Sequence, residues 1–346
     1  MYTQHAEHPR HRSPAPARPG RGFIRFLSGM LLPALIVTAA GLSLYFASVR
    51  VKIWLAPQPE PKRVIESPLK DEEWAEMVGG LQSLSRSYEG RVGIYLKDME
   101  TGRTWEYNAD RLFPSASLIK VPIMAAVFEK IKLGAITLET QLKLTRRDRV
   151  GGSGSLKWVR EGTSLSVMEI IYKMITESDN TATRMLIDYV GMDYLKGAFG
   201  KLGLVQTNIT PEGMSLASGK VQRENYTTAR EMGSLIERIY AGELVDKESS
   251  GLMLEALKHN KSRSRLRKGL PMGWEIGHKT GLLRHACHDV GIVFSPRGDY
   301  VIAVLTSDVP NYKSAKNFIS KVAKLTYRYY RIEADYAEAR GLTPQG

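Results

Sequence analysis

Hydrophobic and polar positions divide the 346-residue chain into segments of different period. Residues 26–49 form an uncharged, mostly apolar run, long enough to span a bilayer with some tilt. Residues 1–25, rich in Pro, Arg and His and almost free of large apolar side chains, read as a disordered tail. Pro57, Pro59, Pro61 and Pro68 mark a semi-extended spacer after the run. A helical period then begins, with Trp74, Met77, Val78, Leu81 and Leu84 predicting a helix over 71–88. Two short strands are predicted at 91–98 and 103–107, joined by a turn at Met99-Glu100-Thr101-Gly102. A helix follows from the stretch FPSASLIKVPIM, residues 113–124, to about Gly134.

Ser166 and Glu169 form a capping box opening the helix that delivers Ser178. Further helices are predicted at 182–190, stopped by Gly191, at 194–201, after Thr228, and at 248–259. Strand patterns return at 274–280, 288–294 and 300–307, the last two joined by Pro296-Arg297-Gly298. A long amphipathic helix over 312–339 carries Phe318, Val322, Leu325 and Tyr329 on one face. Two strands, a run of helices, then three strands and a helix make an α+β layout. An antiparallel sheet built from both ends of the domain, with flanking helices and an inserted all-helical subdomain, fits that order. The expected organisation is a tail at 1–25, an anchor helix at 26–50, a linker at 51–70 and one folded domain at 71–340.

Charge changes the picture at the N-terminus. Five arginines precede the apolar run and Arg50 and Lys52 follow it, so the positive-inside rule places the N-terminus in the cytoplasm and the domain outside. The rival is a cleaved signal peptide, but the run is long for one and no small-x-small site ends it cleanly. The net charge of +13 suits a protein beside anionic lipid or anionic cell-wall polymer. Nucleic acid is the other partner such charge suggests, and no nucleic-acid motif is present. With one cysteine, Cys287, no intrachain disulfide can form.

Chemistry enters with Ser117 and Lys120, which stand three residues apart and so share a helix face. A serine becomes a nucleophile when a base takes its proton, and an amine serves only when desolvation or a second cation keeps it neutral. The pair alone is weak evidence, since Ser67 and Lys70 repeat the spacing in the Pro-rich spacer and a serine before an apolar run often only caps a helix. Ser178-Asp179-Asn180 and Lys279-Thr280-Gly281 follow in order. The glycine-rich Gly151-Gly152-Ser153-Gly154-Ser155 reads as a flexible loop without phosphate-loop spacing. His285, Cys287 and His288 lack a fourth ligand at familiar spacing, so neither metal nor cofactor is implied. Arg284 reads equally as a surface residue or a partner for a substrate carboxylate.

S-x-x-K, S-D-N and K-T-G in this order resemble the motif set of class A β-lactamases and penicillin-binding proteins. MITESDNTATRMLI, GHKTG with HDVGIVF after it, and NYTTAREM agree, and the likeness covers about residues 74–330. The resemblance implies the same α+β fold and an acyl-enzyme on Ser117, with Lys120 as base. It implies that the Ser178 hydroxyl passes a proton to the leaving nitrogen, that Asn180 binds the substrate amide and that Thr280 binds its carboxylate. Lys279 would add positive charge and help keep Lys120 neutral. Gly281 would let the strand backbone approach the substrate, and the N–H groups of Ser117 and Leu282 would receive the oxyanion. Asp179 reads as structural. The family's deacylating E-x-x-L-N pattern is incomplete: Glu212 is the nearest acid, its asparagine is not matched, and Glu224 is a second candidate. The expected activity is β-lactam hydrolysis. The alternatives are a penicillin-binding D,D-peptidase acting on D-alanyl peptides, a penicillin-acylated sensor, and a structural wall-anchoring domain.

Overall fold

The computed structural model describes residues 71–214, 224–308 and 311–331. The expected tail, anchor helix and linker lie outside them. In chain order the helix α1 (Asp71–Arg86) leads to strands β1 (Arg91–Asp98), β2 (Thr104–Tyr107) and β3 (Phe113–Pro114). A short 3₁₀ turn (Ala116–Ile119) and α2 (Lys120–Lys132) follow, then β4 (Gln141–Lys143), β5 (Ser164–Ser166), α3 (Val167–Thr176), α4 (Asn180–Val190) and α5 (Met192–Lys201). The rest comprises β6 (Tyr226–Thr227), α6 (Ala229–Ala241), α7 (Lys247–Lys258), the one-turn α8 (Leu266–Gly269), β7 (Glu275–Leu283), β8 (Ala286–Phe294), β9 (Tyr300–Ser307) and α9 (Tyr312–Tyr330).

The two ends of the domain meet in one five-stranded sheet of order β2-β1-β9-β8-β7, antiparallel throughout. β9 is central and buried at every position, as a strand covered on both faces must be. Its alternation sorts the core. Ile302 and Val304 pack with Leu81, Phe318 and Val322 of α1 and α9. Val301, Ala303 and Leu305 face the cluster formed by α2 to α7. The same alternation on β7 and β8 puts Lys279, Gly281 and His288 on the inner face. His278, Thr280, Cys287 and Asp289 lie on the α8–α9 face.

Element types match the sequence expectation, and the boundaries shift for physical reasons. α4 opens two residues early because the Asp179 side chain accepts from Ala182 N and caps it. β7 continues past Gly281 to Leu283, since its register with β8 runs unbroken to the Leu283–Ala286 pair. Among the described residues α9 runs to Tyr330, with Arg331 extended; the expected continuation to about 339 lies outside them. Tyr330 is buried and donates its hydroxyl to Asp98 Oδ2 at 2.8 Å. Thr228 caps α6, while the Glu231 carboxylate turns away to accept from Val205, Gln206 and Thr207 N–H. No helix among the described residues is long and apolar enough to cross a membrane.

Candidate active site

Ser117 sits inside the 3₁₀ turn that runs straight into α2 at Lys120. The turn is set from outside. Ser115 N donates to the Asn225 carbonyl at 2.7 Å, continuing the β3–β6 pairing, and Ala116 then takes φ +47°. Such backbone in a non-glycine residue costs on the order of 1–3 kcal/mol and persists only where the surroundings impose it. Ser117 caps nothing. The N-cap position belongs to Ser115, without a side-chain cap bond. Among the described residues the Ser117 hydroxyl has no hydrogen-bond partner.

The hydrogen bonds of the Lys120 amine go to the Ser178–Asn180 turn rather than to Ser117. The amine donates to the Ser178 carbonyl at 2.6 Å and to Asn180 Oδ1 at 2.7 Å, and lies 3.3 Å from Ser178 Oγ. Lys279 reaches the same hydroxyl from the opposite side, with Nζ 2.9 Å from Ser178 Oγ and 2.9 Å from its neighbour's carbonyl, Thr280 O. One hydroxyl thus joins two buried lysines. Burial lowers Lys120 to about 7, against the opposing pull of the Asp179 carboxylate. Burial, then the cations of Lys120 and Arg265, hold Lys279 well below its ordinary value. A neutral Lys120 has two N–H donors, which match the two carbonyl-type oxygens. Its lone pair is left for a hydroxyl proton.

Ser178 itself is held at φ +54°, and its neighbours explain how. Asp179 is fully buried and accepts twice, from Ala182 N at 2.9 Å and from Leu156 N at 2.8 Å. Asn180 donates its side-chain amide to Gly151 O at 2.9 Å and its backbone N–H to Ser153 O at 3.1 Å. The glycine-rich segment read as a flexible loop is therefore docked against the catalytic turn. At Gly154, with φ +100°, an added Cβ would fall 2.2 Å from the Asp179 carboxyl. Only glycine allows that approach.

β7 is the edge strand, so the outer row of its backbone N–H and C=O groups is unpaired by the sheet. It faces the nucleophile's turn. An added Cβ on Gly281 would meet Ala116 Cβ at 3.2 Å and His288 Cδ2 at 3.0 Å. The glycine lets strand and turn pack closely. Leu282 is exposed and Thr280 partly buried at this rim. His288 is buried, bonds Pro114 O through Nε2 at 2.7 Å, and is lowered to about 4 chiefly by burial. It anchors β8 to β3 as a neutral ring.

Arg265 was missed in the sequence. It is 5% exposed, takes φ +59°, and its Nε donates to Cys287 Sγ at 3.1 Å. No acidic residue among the described residues pairs with it. Its charge acts on Lys279 and His288, which places a buried cation at the cleft. An arginine in the irregular stretch NKSRSRLRKG carries no motif, so only its burial reveals it. Arg284, the arginine singled out from sequence, lies exposed in the β7–β8 turn with His285.

The loop before β6 is fixed at its ends. Glu231 accepts three backbone N–H groups at 205–207, each at 2.7 Å. Asn225 Oδ1 accepts from Thr210 N at 2.8 Å, and Gly213 packs against Asn225 so closely that a Cβ would fall 2.3 Å from its Oδ1. Between these ties Glu212 is exposed. Glu224 is partly buried, and burial raises its carboxyl. It directly precedes Asn225, whose carbonyl accepts from Ser115 N, two residues before Ser117. Ser215 and Leu216 lie outside the described residues.

A model of the β-lactamase enzyme family matches residues 79–330. A β-lactamase of Bacillus licheniformis is 26% identical over 269 residues, covering 75% of this chain and 86% of that protein. Among solved structures, a β-lactamase of Sphaerobacter thermophilus superposes with TM-score 0.68 at 28% identity, over 79% of this chain and 99% of that one. A variant of PBP-A in acyl-enzyme complex with penicillin G superposes with TM-score 0.67 at 28% identity, over 73% of this chain and 96% of that one.

Proposed function

The chain belongs to the β-lactamase enzyme family and is a serine hydrolase of that type, and we propose that it opens β-lactam amides through an acyl-enzyme on Ser117. The observation that carries this reading is the Ser178 hydroxyl held between two buried lysines, Lys120, one turn from Ser117, and Lys279, both lowered chiefly by burial. The Ser117 hydroxyl attacks the lactam carbonyl while its proton passes to the neutral Lys120 amine. Lys120 and Ser117 stand one turn apart on one helix face, and catalytic hydrogen bonds often close fully only with substrate present. The C–N bond then breaks, and Ser178 hands a proton to the departing nitrogen, with Lys120 restoring the proton to Ser178. The outward N–H groups of Ser117 and Leu282 receive the oxyanion, and losing one such donor typically costs 10²–10³-fold. Asn180 binds the substrate's side-chain amide. Thr280 and Arg265 take the carboxylate, with Lys279 adding positive charge behind them.

The second reading is a D,D-peptidase that β-lactams acylate and leave slowly. The exposure of Glu212 favours it, because freeing the acyl group needs a base placed on a water, and placement is worth about 10²–10⁴-fold. Labelling the purified domain with a fluorescent penicillin and timing the loss of label separates the two. Fast loss is hydrolysis, loss over many minutes is the peptidase, and no labelling rejects both. We also propose that the domain stands outside the cytoplasm on an N-terminal membrane anchor, with wall peptide and anionic wall polymer as neighbours. The uncharged run at 26–49 and the arginines before it support this. A reporter active only outside the cytoplasm should work when fused after Gly346 and fail when fused before Phe26.

A further inference from the structure

Two buried ionisable groups take no part in the chemistry above. His278 and Asp289 are 1% and 0% exposed, and His278 Nδ1 lies 2.8 Å from Asp289 Oδ1. Burying such a pair is costly unless every lone pair finds a partner. The second carboxylate oxygen finds one outside the sheet: Asp289 Oδ2 accepts from Leu266 N at 3.1 Å. Leu266 follows Arg265, whose φ +59° and ψ −123° are close to glycine-only backbone. Two of the other non-glycine residues at positive φ are Ala116 and Ser178, both already part of the cleft. Strain of this kind persists where surrounding contacts over-determine it, and at Arg265 those contacts are Asp289 on the following N–H and Cys287 on the guanidinium.

The sheet register shows what the clamp points at. Thr280 pairs directly with Asp289, and Leu282 with Cys287. His278, Thr280 and Leu282 therefore share a face with Asp289 and Cys287. Cys287, which accepts from the Arg265 guanidinium, is the diagonal neighbour of Thr280 in this register, a separation that a long side chain can reach across. We propose that the buried His278–Asp289 pair is a positioning pair, which clamps the strained Arg265 so that its guanidinium stands beside Thr280 and receives the substrate carboxylate. The inference rests on the acyl-enzyme reading above and adds to it the device that fixes carboxylate recognition.

The test compares acylation by benzylpenicillin with acylation by its methyl ester, in which the negative charge is gone. Asp289→Ala should lower the second-order rate constant for the acid by about 30-fold or more, through weaker binding rather than a slower acylation step, and change that for the ester less than about threefold. Asp289→Asn keeps an oxygen for Leu266 N and should retain most of the acid's rate. His278→Ala should fall between them, which covers the case of an Asp289→Ala chain that does not fold. Combined with Arg265→Gln, Asp289→Ala should add little, because both remove one interaction. Equal losses for acid and ester, or fully additive losses with Arg265→Gln, would overturn the positioning role and leave the acyl-enzyme reading intact. A wild-type chain that neither compound acylates would overturn both.

Discussion

The floor of the cleft and the described part of the loop before β6 are built to different standards. On the floor, Lys120, Ser178, Asp179, Asn180 and Lys279 come from three separate elements. They close a network in which Asp179 satisfies two backbone donors and Ser178 serves two lysines. Each side chain there is held by at least one group remote in sequence. On the loop, Glu231 and Asn225 tie down the ends, while Glu212 between them is left in water. On the acyl-enzyme reading proposed above, the difference implies that acylation and deacylation are separable in this protein. The first is over-determined by packing. The second would draw on a loop whose described part leaves Glu212 exposed.

Removing the nucleophile tests the floor most severely. Ser117→Ala should abolish covalent labelling by penicillin, a loss on the order of 10⁴–10⁶-fold, while Ser115→Ala should label normally; mass spectrometry of the labelled peptide decides. A label on any other residue would break the comparison at its root.

Acidification should come next. Lys120 must be neutral to act, and its value near 7 means that the acylation rate falls as pH drops through 7. The loss should approach tenfold per unit, or about 100-fold at pH 5. The stability sign agrees. The folded-state value lies below the ordinary lysine value, so the unfolded chain binds more protons between about 7 and 10.5, and stability rises with pH across that window. Rapid-quench acylation rates and thermal melts across pH 5–10 measure both. A flat acylation profile would mean that Lys120 is not the base.

Asp179→Ala isolates the packing behind the chemistry. It orphans two buried N–H groups, those of Ala182 and Leu156, at about 1–3 kcal/mol each. Denaturant unfolding should show a loss of 2–4 kcal/mol together with slower acylation. A stability change below about 1 kcal/mol would show that the floor is less interlocked than its contacts suggest.

The smallest effect is expected on the loop. Glu212→Gln should leave the acyl-enzyme lifetime within about twofold, because an exposed carboxylate holds no water on the acyl carbon. Glu224→Gln, at a partly buried carboxyl that burial raises, should lengthen it several-fold. Timed loss of the fluorescent label reads both, and a long-lived acyl-enzyme in Glu212→Gln would erase the contrast drawn above.

The layout and the catalytic motifs were legible in the sequence because each depends on local order. Tyr300–Ser307 is apolar at both parities and reads as a covered strand. Ser166 and Glu169 announce a helix start through a bond spanning three residues. The spacing of Ser117 and Lys120 is itself local. What the sequence could not carry is any property that depends on which distant segments share a face. Whether Lys120 turns to Ser117 or to Ser178 depends on where α4 docks. The glycines at 151–154 look like a flexible linker until Asp179 and Asn180 come within bonding distance of them. Arg265 is one arginine in a basic irregular stretch until β8 sets Cys287 and Asp289 beside it. Burial of charge, close approach and left-handed backbone are consequences of packing between elements 20 to 100 residues apart, so they exist only once the sheet has brought both ends of the domain together.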